Sequence, residues 1–126
     1  TPDFYGSLEW MDGGKTLWQF VSGHAPTILT GLPLGSWAAP QKRRWCAREL
    51  GENVPVITCM SREKAHRARA ATPAGATPVL VDDRASLRTA FEESGGVFVH
   101  HTDAERTIEV LRSLDGRFVR AQVDEA

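Results

Sequence analysis

Four short apolar runs, at 26–30, 54–59, 78–81 and 97–99, recur along the chain with amphipathic stretches between them. This alternation limits the fold more than any other feature. An apolar run bounded by turn residues makes a strand buried on both faces, and the stretch between returns the chain to begin the next strand in parallel. The reading is an α/β fold on a mainly parallel sheet. At 126 residues the chain suffices for one domain with a real core, so residues 1–126 are read as a single unit.

The intervening stretches carry helix signals. Gly13-Gly14 opens a helix whose apolar face is Leu17, Phe20 and Val21. A second helix is expected over about 40–50, with Trp45, Cys46 and Leu50 inward and Gly51 at its cap. Residues 61–76 read as part helix and part loop, and a helix over about 86–94 stops at Gly95-Gly96. Thr102-Asp103-Ala104-Glu105 has capping-box spacing and opens a helix with Ile108, Leu111 and Leu114 inward. Residues 118–123 form a candidate last strand, and 1–12 are irregular and aromatic-rich.

A net charge of -1 excludes a chain-wide field for nucleic-acid polymers or anionic membranes. No apolar run nears the roughly 20 residues of a bilayer span. Basic residues cluster at Lys42-Arg43-Arg44-Arg48 and Arg62-Lys64-Arg67-Arg69, where the ordinary reading is a solvated helix face. Cys46 and Cys59 form no CxxC pair; they read as small core residues of a protein in a reducing compartment, the cytoplasm.

Ligands of open parallel sheets bind at the carboxyl ends of the strands. The first run ends in Thr30, the third in Asp82-Asp83, and the second leads into Ser61-Arg62-Glu63-Lys64. Hydroxyl, cations and paired carboxylates on one rim describe a magnesium and phosphate site. Each residue has a plainer role: Thr30 as a strand-end cap, Asp82-Asp83 as a helix start, Lys42 and Lys64 as exposed lysines. His100-His101 point to opposite faces of a strand and lack further ligands at zinc spacing.

Order and spacing together resemble a known family. Ile28-Leu29-Thr30-Gly31 is similar to the second motif of the haloacid-dehalogenase superfamily, and Val79-Leu80-Val81-Asp82-Asp83-Arg84 to its fourth, metal-binding motif. Gln41-Lys42-Arg43-Arg44-Trp45 with Leu50-Gly51, and Ser61-Arg62-Glu63-Lys64, are similar to elements of the 5'(3')-deoxyribonucleotidase branch. Phe4-Tyr5 through Gly13-Gly14 resembles the end of that branch's cap segment, of which 1–12 would be a remnant. Gly95-Gly96-Val97-Phe98-Val99 resembles the strand after the fourth motif.

The resemblance implies a Rossmann-like three-layer sandwich and a magnesium-dependent phosphatase acting on small phosphate esters, nucleoside monophosphates among them, through an aspartyl-phosphate. Thr30, Gly31, Arg62 and Lys64 would bind phosphate, with Lys42 competing with Lys64 for the catalytic lysine role. Asp82 and Asp83 would hold Mg2+, and Phe4, Tyr5 and Trp10 would line a base pocket. One departure is Gly31, where a second hydroxyl often follows the threonine.

A larger departure is that the chain contains no Asp-x-Asp, the family's first motif and the source of its nucleophile. In the family that motif lies on the central strand, between the strands of the second and fourth motifs. Three arrangements fill the gap: a longer natural protein, a strand donated by another chain (homo-oligomer included), or closure of the sheet by 118–123. The alternative function is a non-catalytic domain that binds through the same rim. A flavodoxin-like domain with a response-regulator acidic pair fits less well, because there the pair follows the first strand.

Overall fold

The computed structural model describes residues 13–24, 26–31, 37–114 and the backbone of 118–123. The expectations for Phe4, Tyr5, Trp10 and the cap remnant 1–12 lie outside these residues.

Five parallel strands form one sheet: β1 (Thr27–Gly31), β2 (Val56–Cys59), β3 (Thr77–Asp82), β4 (Val97–His100) and β5 (Phe118–Val123). Their order is β2-β1-β5-β3-β4, so β5 fills the centre. Ile28 and Val81 both pair with Val123, one from each side. Of the three arrangements open from the sequence, the sheet adopts closure by 118–123. This satisfies the backbone edges that β1 and β3 would otherwise leave unpaired.

Helices α1 (Gly14–Val21), α2 (Ala38–Leu50), α3 (Lys64–Ala71), α4 (Arg88–Glu93) and α5 (Ala104–Ser113) cover the sheet. The two-residue period of the strands splits the core. Ile28, Val79, Val81 and Val99 face one way and pack with Leu17 and Val21 of α1, Trp45 and Cys46 of α2, and Leu111 of α5. Leu29, Leu80, Phe98 and Cys59 face the other way, toward Ala68 of α3 and Phe91 of α4. Continuous apolar runs are what a sheet covered on both faces requires. Cys46 and Cys59 are buried thiols, as their reading as core residues anticipated.

Two boundaries differ from expectation. α2 begins at Ala38, a turn before Gln41 and Lys42, which places both of those polar residues in its buried face. α5 is capped by Asp103, whose carboxylate accepts from the Arg106 amide at 2.8 Å. The cap therefore sits one residue later than the expected Thr102, with Asp103 accepting from the amide three residues on. Residues 61–76 resolve into a 3-10 turn, Ser61–Glu63, leading into α3. Gly51 closes α2 at φ 114°, a left-handed backbone that favours glycine. Among the described residues, no helix is long and apolar enough to cross a membrane.

Candidate functional site

The carboxyl ends of β1 and β3 gather Thr30, Gly31, Lys42, Lys64 and Asp82. Each reaches the rim for a local reason. Thr30 and Asp82 sit near or at the ends of apolar strands, so burial of those strands carries their side chains to the edge of the core. Lys42 lies in the first half of α2 and Lys64 is the first residue of α3, both just after the chain leaves the rim.

Both lysines are buried, Lys42 at 6% and Lys64 at 2% exposure. The plainer reading of exposed lysines on solvated faces is thus corrected for these two. Arg43, Arg44, Arg48, Arg62, Arg67 and Arg69 do face solvent. Lysines seldom lose contact with water, because desolvating an ammonium costs several kcal/mol unless close partners offset it. Here the partners are specific. Lys42 Nζ donates to Thr30 Oγ1 at 2.8 Å and to the Gly31 carbonyl at 2.5 Å. Lys64 Nζ donates to Asp82 Oδ2 at 2.7 Å, with both side chains at most 2% exposed.

Asp82 is held from two further directions. The Arg84 amide donates to Oδ1 at 2.9 Å, and the His101 amide donates to the Asp82 carbonyl at 2.9 Å. Asp83 is exposed, as expected when consecutive strand-end side chains alternate. The two carboxylates therefore differ: one is buried and ion-paired, the other open to water. Among the described residues, no three His, Cys, Asp or Glu side chains gather as a metal cage.

The sequence reading took Ser61 and Arg84 only as parts of larger motifs. Arg84 Nη1 donates to Ser61 Oγ at 2.7 Å, joining the turn before α3 to the end of β3. A Cβ placed on Gly31 would lie 2.7 Å from the same Ser61 oxygen, so no larger residue fits at position 31 as the site stands. Glu63 ties the turn down by accepting from the Met60 amide at 3.0 Å. Arg62 is exposed on that turn. The missed signal was the vacancy at Gly31, which needs a neighbour to fill it.

Beyond β3, the end of β4 presents the two histidines. His100 Nε2 donates to the Asp83 carbonyl at 3.0 Å. His101 Nδ1 and Thr107 Oγ1 share a hydrogen bond of 2.7 Å. Burial pushes the His101 imidazole below its ordinary pKa, and neighbouring His100 adds to the fall, against an opposing pull from Asp83 and Asp103.

Chemically, the rim offers two ammonium groups, two hydroxyls and an arginine around the ends of β1 and β3. Such a set can bind an oxyanion and neutralise charge that develops on it. No family model, no curated protein and no solved structure matches the chain, which leaves the rim itself as the guide to its chemistry.

Proposed function

We propose that the chain is the core of a haloacid-dehalogenase-type, magnesium-dependent phosphatase with a Rossmann-like fold. In this reading it is nucleotidase-like and acts in the cytoplasm on small phosphate monoesters when completed by the Asp-x-Asp motif that these residues lack. One observation carries the reading: two lysines are buried at the carboxyl ends of a parallel sheet, one anchored on Thr30 and Gly31, the other on Asp82. Buried cations at this end of a sheet are costly to stability and useful to an anionic ligand.

In this reading Thr30 donates to a phosphate oxygen, and Lys42 and Lys64 neutralise its charge. Both lysines remain candidates for the catalytic lysine role in this reading. Lys42 is anchored at the β1 end on Thr30 and Gly31, and Lys64 at the β3 end on Asp82. Mg2+ accepts one or two carboxylates and completes its shell with water and substrate oxygens. In this reading Asp82, a buried carboxylate at the end of β3, and Asp83, open to solvent beside it, would be the residues to hold that ion. The ion would add positive charge beside the phosphate.

A second reading also has a specific observation behind it. These 126 residues contain no Asp-x-Asp, and Asp82 is already occupied by Lys64. On that reading the domain binds a phosphorylated ligand without turning it over.

The test is calorimetric titration with inorganic phosphate, followed by phosphate release from nucleoside monophosphates with Mg2+ or EDTA. Phosphate binding lost in Lys42→Met and Lys64→Met, with magnesium-dependent release, supports the phosphatase. Binding without release supports the binding domain. A wild-type chain that binds no phosphate sinks both.

A further inference from the structure

We propose that Ser61 is an oxyanion-binding residue of the rim, supplying from the turn before α3 the side chain that position 31 lacks, and holding Arg84 beside it as a third cation. The inference rests on the phosphate reading above and goes beyond it by adding two residues.

Three facts meet at one oxygen. Ser61 Oγ occupies the space into which a residue-31 side chain would grow, 2.7 Å from where its Cβ would stand. Lys64 Cε is 3.8 Å from that same point, so the hydroxyl lies beside the buried lysine stem. Arg84 Nη1 donates to Ser61 Oγ at 2.7 Å. A serine hydroxyl has one proton to give and two lone pairs to receive. With the guanidinium using a lone pair, the proton stays available, and among the described residues no hydrogen bond uses it. A hydroxyl polarised by a cation is a better donor to an anion than an isolated one.

Arg84 is fixed at both ends. Its amide is tied to Asp82 and its guanidinium to Ser61, so the side chain spans from the end of β3 to the turn after β2. Ser61 stands against Gly31 at the end of β1, so the guanidinium is held on the part of the rim that the phosphate reading assigns to the oxyanion. An arginine held in advance loses less freedom when it meets an oxyanion than a loose one does.

The arrangement makes an exchange experiment possible. Ser61→Ala removes one small group, preserves the fold, and should weaken inorganic phosphate binding by about tenfold, with Arg84→Gln doing the same. Gly31→Ser alone should lower the melting temperature, because its Cβ meets Ser61. Gly31→Ser combined with Ser61→Ala moves the hydroxyl to the other strand end, and should restore the melting temperature and most of the phosphate affinity. Unchanged affinity in Ser61→Ala beside a binding wild type overturns this inference and leaves the phosphate reading standing. Failure of the double variant to regain affinity overturns the exchange between positions 31 and 61. No binding by the wild type overturns the phosphate reading itself, and this inference with it.

Discussion

The two ends of the sheet are built on opposite principles. At the carboxyl end, Lys42, Lys64, Asp82 and Thr30 are buried polar groups, each closed on a named partner. At the amino end, an open groove of about 440 Å3 is lined mostly by Trp18, Pro26, Leu50, Val54 and Pro55. One end accepts the cost of desolvating charge, and the other leaves apolar surface half covered. Globular packing alone favours the reverse, with apolar side chains inside and charge outside. The departure singles out the carboxyl end, where buried charge is held by specific partners.

Five experiments press on that contrast. The largest effect is expected from Asp82→Ala, which strips Lys64 of its carboxylate and should cost about 4 kcal/mol in urea unfolding. Replacing the pair together, as Lys64→Met with Asp82→Leu, should recover most of that stability while abolishing phosphate binding. A double variant that still binds phosphate would break the contrast, since the pair would then be structural only. Thr30→Val keeps the shape but removes the oxygen that receives Lys42, and should cost about 2 kcal/mol together with phosphate affinity.

At the amino end, Leu50→Ala should cost about 1 kcal/mol, because Leu50 is only partly buried, and should leave phosphate titrations unchanged. A change in affinity there would mean the two ends are coupled. The smallest effect is a pH dependence. His101 is held below its ordinary pKa in the folded state, so the unfolded chain takes up its proton first as pH falls. Stability should therefore decline as pH drops below about 6.5, and His101→Asn should flatten that decline. A decline of equal size in the variant would assign it to other groups.

The strands were legible because both of their faces are buried. Ile28-Leu29 and Val79-Leu80-Val81 send alternate residues to opposite core clusters, which leaves a run of apolar residues in the sequence. The rim threonine and acidic pair were legible through their place just after such runs. The burial of Lys42 and Lys64 was not. Charge pattern reports only neighbours along the chain, while these lysines are buried by partners 12 and 18 residues away. The link between Ser61 and Arg84 spans 23 residues and escaped for the same reason. The position of β5 was open because strand pairing is a choice among distant partners, and 118–123 is apolar enough for an edge or a centre.

That central position has a kinetic consequence. β5 is the last of the described strands, yet it joins β1 to β3. Until 118–123 has been synthesised, β1 with β2 and β3 with β4 are separate pairs whose facing edges have no strand between them. The contacts from Ile28 to Val123 span most of the sequence, and folding slows as such distant contacts dominate. Among the described strands, the facing edges of β1 and β3 stay open until β5 joins them, and an open edge is where a neighbouring nascent chain can pair instead. The protein's yield on expression should depend on how long those edges stay open, and so on translation speed and chaperone supply as much as on final stability.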